Sequence, residues 1–273
     1  MPEITVNGVI KYYEIDEFTG TGLTPDTLFI QHGMWRNLLF WQHWPPLLTA
    51  ACQVIRHDLP GHGGSQDPGP DYPWIMEAIV DDIVAMLDLL EIDRVHFLGE
   101  STSGMLGVVF AVRHPQRLKS LILCASPTTI GPEAQKLFAF GHKDWQTAIR
   151  TLGAYEWGKA LAGLGGTMGD LSPSEQEWVF SQIGRVSERA MVDYSLMVSN
   201  TDVEPLLQDI QIPTLILAPT RSVAAPLGQQ QLMQQRIPGA RLVEIDGAAH
   251  EIYRDCATEC IAAIQVFIKE AAN

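Results

Sequence analysis

Apolar and polar positions alternate with two different periods along this 273-residue chain. Short, almost continuously apolar runs fall at 27–31, 53–57, 95–98, 118–124, 214–218 and 241–245, each bounded by Gly, Pro or polar residues. Strands covered on both faces read this way. Upstream, 4–6 and 11–15 flank Asn7-Gly8, a dipeptide suited to a tight turn, so the chain opens on a predicted hairpin. Between the strands the period lengthens to that of a helix. Over 74–90, apolar residues recur at 75, 76, 79, 80, 83, 84, 87 and 90, with Glu77, Asp81, Asp82 and Asp88 assigned to the other side. The segment 105–112 is apolar nearly all round, which predicts a buried helix stopping before His114-Pro115. A last amphipathic helix is predicted over 256–268. Strands alternating with helices imply an α/β fold: a mostly parallel sheet with helices on both faces.

One stretch breaks that rhythm. Between Pro127 and Pro205, about eighty residues show helical patterns and no strand. Helices fit 144–161 and 172–183, the second opened by Ser172-Pro173 as cap and first-turn residue. The glycines from Gly163 to Gly169 read as a flexible joint. The expected organisation is a core made of 1–126 and 207–273, with a helical cap, 127–206, inserted after the sixth strand.

Composition narrows the classes of function. At 46% hydrophobic and 18% charged residues, the chain can bury one sizeable core. Its 18 Lys+Arg against 32 Asp+Glu give a net charge of −14, which argues against nucleic acid and anionic membrane surfaces as partners. No apolar run is long enough to span a bilayer, and the start lacks a basic region followed by an apolar one. The expected compartment is therefore the cytoplasm. Cys52, Cys124, Cys256 and Cys260 are too few and scattered for a disulfide framework. With no Cys or His pair near them, no zinc site is expected.

The chemistry concentrates around Gly99-Glu100-Ser101-Thr102-Ser103-Gly104, where a strand runs straight into the apolar helix. A serine on so sharp a turn needs small neighbours, presents its hydroxyl above the sheet, and lies at the positive end of a helix dipole. Ser101 is the candidate nucleophile. Backbone N–H groups beside it can stabilise an oxyanion; Thr102 supplies one, and Met34, in the His32-Gly33-Met34 segment after an earlier strand, supplies the second. Asp58-Leu-Pro-Gly-His-Gly-Gly-Ser65 reads as a structural turn. Gly247-Ala-Ala-His250 follows the last strand, where a general base is expected.

Together these segments resemble the α/β-hydrolase superfamily over essentially the whole chain. The resemblance implies an eight-stranded sheet, a Ser–His–acid triad, and neither metal nor organic cofactor. It assigns Ser101 as nucleophile and His250 as base, since His250 alone among eight histidines follows the final strand in the required chain order. His32, His57 and His62 are assigned to turns; His43, His96, His114 and His142 are assigned to packing or surface.

The acid departs from the family pattern. The segment after the seventh strand reads Pro219-Thr-Arg-Ser-Val-Ala-Ala-Pro226, with Ser222 where an aspartate is usual. The other known placement, after the sixth strand, holds Ala125 and Ser126. Three readings stay open. An acid from elsewhere reaches His250, from Asp202, Glu204, Glu100 or Glu251; a hydroxyl of Ser126 or Ser222 orients it; or the acid position carries an introduced substitution. Two shorter likenesses accompany this. Ser103, two places after the nucleophile, is similar to lactone-cleaving members and strigolactone-type receptors, and Glu100 before it resembles plant hydroxynitrile lyases.

Large apolar residues crowd the segment after His32 (Trp35, Phe40, Trp41, Trp44) and the cap (Phe138, Trp145, Trp157, Trp178). As a set they predict an apolar cleft between cap and sheet, with Trp35 and Glu100 assigned to the substrate pocket. The expected activity is hydrolysis of a hydrophobic carboxylic ester or lactone through an acyl-enzyme. The alternatives are a lyase or cofactor-free oxygenase in which His250 abstracts a substrate proton, and a ligand-binding receptor with a vestigial site. A homodimer is the candidate assembly.

Overall fold

The computed structural model of the chain describes residues 2–17, 25–48 and 52–271. Eight strands form one sheet: β1 (Glu3–Val6), β2 (Val9–Asp16), β3 (Asp26–Gln31), β4 (Cys52–His57), β5 (Val95–Glu100), β6 (Leu118–Cys124), β7 (Thr214–Pro219) and β8 (Arg241–Ile245). Their order is β1-β2-β4-β3-β5-β6-β7-β8. β1 pairs antiparallel with β2, and β2 with β4; every other pairing is parallel. The opening hairpin turns on Asn7 and Gly8, both at positive φ, as a two-residue turn matched to strand twist requires. β5 and β7 are buried at every residue, which is why neither alternates apolar with solvent-facing polar positions; β5 carries His96 and Glu100 into the interior.

The helices are α1 (Pro45–Leu48), α2 (Met76–Leu89), α3 (Thr102–Arg113), α4 (Pro132–Phe138), α5 (Trp145–Ala162), α6 (Pro173–Ile183), α7 (Glu188–Ser199), α8 (Leu227–Arg236), α9 (Ile252–Asp255) and α10 (Ala257–Ala271). α2 packs on α3 and α3 on β5 and β6, while α10 packs on α1 and on β6, β7 and β8. α3 starts at Thr102, directly after Ser101 and three residues ahead of the sequence expectation. No helix among the described residues is long and apolar enough to cross a membrane.

Two assignments are corrected. His57, placed both at the end of the predicted strand 53–57 and in a turn, is the last residue of β4, and its Nδ1 is 2.8 Å from Gln31 Oε1 on β3. Asp82 does not share the solvent side of α2; it is buried beneath the opening hairpin. It accepts from Asn7 Nδ2 at 2.8 Å, Lys11 Nζ at 2.7 Å and Tyr72 Oη at 3.0 Å. Those three donors compensate the burial of a charge that helical periodicity alone assigns to water.

Between β6 and β7 the chain forms α4 to α7 and a 3-10 segment, Glu204–Asp209. The only β pairing there, among the described residues, is an isolated bridge of Thr129 with Asp202. α5 is interrupted at Gly153 (φ 72°, ψ 165°), so the expected single helix is two helices across a kink. α6 opens on a capping box in which Ser172 and Glu175 satisfy each other's backbone N–H groups. The glycine-rich segment after α5 is a compact turn: buried Thr167 donates its hydroxyl to the carbonyls of Leu161 and Leu164.

α3 reaches the sheet because Gly104 has no side chain. A Cβ there would land on Oγ and Cβ of Ser126, just past the end of β6. We predict that Gly104→Ala lowers unfolding stability by about 1–3 kcal/mol through overpacking. In a Ser126→Gly background the same alanine should cost little, because the clash is gone and alanine favours a helix. Urea unfolding midpoints of the four proteins test this. An equal cost in both backgrounds would contradict the packing account.

Candidate active site

Because β3 to β8 run parallel, their C-terminal ends open onto one edge of the sheet. The strand order reverses at β3, which lies between β4 and β5, and such a switch point leaves a crevice for ligands beyond the strand ends. The loops there carry Met34, Ser101, Ser222 and His250, following β3, β5, β7 and β8 in turn.

Ser101 is the hinge between β5 and α3, at φ 53° and ψ −125°. A non-glycine residue there is strained by about 1–3 kcal/mol, so the surroundings must hold it. Its N–H donates to Cys124 O at 2.9 Å, continuing the β5–β6 ladder, and its carbonyl accepts from Gly104 N at 2.9 Å. Across the hinge, Gly33 lies so close that a Cβ would strike Glu100 and Ser101. Ser103 Oγ donates to His32 O at 2.6 Å, which ties the loop after β3 to the start of α3.

His250 bridges two hydroxyls. Its Nε2 is 2.9 Å from Ser101 Oγ and its Nδ1 is 2.9 Å from Ser222 Oγ. Ser222 Oγ also accepts from Ala225 N at 3.0 Å, which leaves the oxygen a lone pair for an Nδ1–H donor. The loops after β7 and β8 are laced together by Arg221 N on Ala248 O (3.0 Å) and Gly247 N on Thr220 Oγ1 (2.8 Å). Of the residues considered as orienters of His250, the structure thus places Ser222 at Nδ1. Ser126 Oγ instead lies 3.4 Å from Gly99 O. Asp202 accepts the Glu204 N–H at 2.9 Å, and Glu204 faces Arg236 at 3.6 Å.

Two carboxylates flank His250 with different partners. Buried Glu251 accepts from Arg36 Nε at 2.9 Å and Nη2 at 2.5 Å, and Arg254 Nη1 lies 2.9 Å from its other oxygen. Burial works against ionisation there, but Arg36 and Arg254 outweigh it and keep Glu251 below its ordinary pKa. Buried Glu100 accepts the Gly33 N–H on Oε2 at 2.5 Å, and its Oε1 lies 3.9 Å from His250 Nε2. Burial pushes its carboxyl up to about 7, against the pull of Arg36. Burial also brings His250 down to about 4, with Glu251 opposing and Arg36 adding to the shift, so its imidazole is neutral near pH 7.

Met34 N donates to Thr102 Oγ1 at 3.2 Å, and the same oxygen is 2.9 Å from Tyr194 Oη on α7. Beside these groups lies a cavity of about 40 Å³. Its floor includes Trp35, Glu100, Ser101 and His250, and Ile130, Phe138, Leu161 and Thr167 close it from the β6–β7 connection. Trp35 is fully buried, edge-on to Trp145 and Trp157. Trp41 and Trp44 pack instead against each other, Trp41 stacking on Tyr253 and Trp44 donating to the Tyr253 carbonyl, so they form core rather than pocket. Two further site residues lie outside the sequence expectations. Arg36 stands as a lone charge within the apolar run after Met34, a readable signal; Tyr194 sits on a helix whose sequence pattern is too weak to single it out.

Comparison with known proteins matches the chain to a family. The alpha/beta hydrolase fold model matches residues 26–255. A 3-oxoadipate enol-lactonase of Acinetobacter baylyi is 27% identical over 228 residues, 82% of this chain and 81% of its own. A strigolactone esterase of Pisum sativum is 27% identical over 233 residues, 82% of this chain and 85% of its own. Among solved structures, the enol-lactonase from Burkholderia xenovorans LB400 superimposes with a TM-score of 0.87 at 25% identity, covering 98% of this chain and 100% of that one. The eight-stranded sheet, the hinge serine and the family match over most of the chain agree: the protein belongs to the α/β-hydrolase family and is an α/β-hydrolase enzyme.

Proposed function

We propose that the protein is a serine hydrolase that cleaves a hydrophobic carboxylic ester or lactone through an acyl-enzyme at Ser101. One observation carries this reading: a strained hinge serine, φ 53°, with its Oγ 2.9 Å from Nε2 of His250. The names of the relatives, an enol-lactonase and a strigolactone esterase, support the substrate class.

In this mechanism Ser101 Oγ attacks the carbonyl carbon and its proton passes to His250 Nε2. That requires the other ring nitrogen to carry the resting proton, and an Nδ1–H donated to Ser222 Oγ fixes that tautomer. The oxyanion takes the N–H groups of Thr102, the first residue of α3, and Met34, displacing Thr102 Oγ1 as the acceptor at Met34. His250 returns the proton to the departing oxygen, which in a lactone stays tethered to the acyl chain. Water, deprotonated by His250, then releases the acid and restores Ser101. A space of about 40 Å³ is small for an acyl group, so side chains that line it have to give way as the substrate enters.

Two outcomes are expected. Wild-type protein should gain one fluorophosphonate adduct by intact mass and hydrolyse small aryl esters or lactones, and Ser101→Ala should lose both while unfolding at the same urea concentration. A Ser101→Ala protein that keeps its turnover would remove Ser101 as nucleophile and favour proton abstraction by His250. Ser222→Ala leaves the imidazole without its Nδ1 acceptor, an unmet buried hydrogen bond of about 1–3 kcal/mol. It should lower kcat about 10- to 100-fold with KM little changed, on the scale of that penalty; an unaltered kcat would show that Ser222 does not orient the base.

A further inference from the structure

A hydroxyl at Nδ1 fixes a tautomer but carries no charge, so it leaves the imidazolium formed during turnover without a counter-ion on that side. The nearby charges are Glu251, Glu100 and the Arg36 guanidinium, which itself disfavours a charged imidazole. Glu251 is already engaged by Arg36 and Arg254. Among the described residues Glu100 has a single neutral N–H donor, from Gly33, and turns its other oxygen toward His250 Nε2 at 3.9 Å. It also lines the cavity with Ser101 and His250.

Resting on the hydrolase reading above, we propose that Glu100 is the counter-charge of His250 in the reaction, acting from the Nε2 side in place of an acid at residue 222. The backbone makes this possible. Glu100 precedes the hinge serine, so the strained turn that raises Ser101 also fixes the carboxylate beside the base, and the Gly33 N–H holds it there. Ser101 Oγ gives its proton to Nε2, the positive charge spreads over the ring, and the Glu100 carboxylate, 3.9 Å away and beyond hydrogen-bond reach of that proton, stabilises it through space. When the proton leaves with the departing oxygen, the pair returns to a neutral imidazole and a carboxylate.

The active form then holds Glu100 ionised. The groups that bear on its carboxyl are Arg36 after β3, Glu251 and Tyr253 after β8, Cys124 on β6, Tyr194 on α7, and His250 itself. Burial places the Glu100 carboxyl near 7 and the His250 imidazole near 4. Activity should therefore rise with pH through about 7, where Glu100 loses its proton, rather than through about 4, where His250 does.

The test is the pH dependence of kcat/KM on a small aryl ester for wild type, Glu100→Gln, Ser222→Asp and the double variant. Glutamine keeps an oxygen for the Gly33 N–H, so the turn is preserved while the charge is removed. Glu100→Gln should lower kcat/KM about 100-fold or more and abolish the limb near pH 7, leaving the remaining activity flat down to about pH 5. The double variant, with a carboxylate restored at Nδ1, should recover at least about 10-fold over Glu100→Gln. A Glu100→Gln protein with wild-type rate and an unmoved limb overturns the proposal, as does a loss of rate that leaves the limb in place and is not rescued by Ser222→Asp. Fluorophosphonate labelling separates the two readings: a labelled, ester-cleaving wild type with an indifferent Glu100→Gln sinks this proposal alone, whereas an unlabelled, inactive wild type sinks both.

Discussion

Ser101 cannot relax. It sits between a strand and a helix that are both buried, at a backbone angle that only close neighbours can maintain, and the rest of the site is arranged around that constraint. The ladder bond to Cys124 fixes the end of β5, and the bond from Gly104 starts α3 immediately after the hinge. The small residues follow from the same need for close approach. Gly104 lets α3 meet the exit of β6, and Gly33 lets the loop after β3 meet the hinge. Ser103 then ties that loop down through His32 O, which positions Met34 beside Thr102. The contacts that hold this strained residue thus come from β3, β5, β6 and α3 together.

The second feature is an electrostatic imbalance. Arg36, Glu251, Glu100 and His250 are all buried within one region, where unpaired charge is expensive. Arg36 pairs with Glu251 through Nε and Nη2, its Nη1 having no hydrogen-bond partner among the described residues, so one carboxylate is neutralised and the other is left with a backbone donor. Burial consequently moves Glu100 and His250 in opposite directions, each toward its neutral form. A carboxylic acid and an imidazole held this far from their ordinary pKa values are the raw material of acid–base chemistry.

Much of this is legible in the chain itself. The parallel strands are buried on both faces and so read as unbroken apolar runs, and the observed ends of β3 to β8 fall within a few residues of the expected ones. Ser101 and His250 can be found because each is defined by its place relative to a strand end, a local property. The hydroxyl that faces His250 Nδ1 cannot, because Ser126 and Ser222 follow adjacent strands and only the packing of the loops decides which one meets it; that packing includes the bond from Arg221 N to Ala248 O. Asp82 is misplaced by periodicity for a similar reason: a helical stripe cannot register a lysine arriving from a distant hairpin. α8 has no signature because its glutamines give no apolar stripe, with only Gln230 and Met233 buried.

The helices between β6 and β7 do more than roof the sheet. Tyr194 on α7 reaches Thr102 Oγ1, and that same oxygen receives the Met34 N–H. Any acceptor that takes over the Met34 N–H therefore changes the environment of a hydroxyl held from above by α7. Tyr194 is in turn wedged among Trp35, His62 and Trp74, residues from three different segments of the core. Movement of α7 and the state of the proposed oxyanion donors are thus physically connected through two hydrogen bonds, without a long pathway.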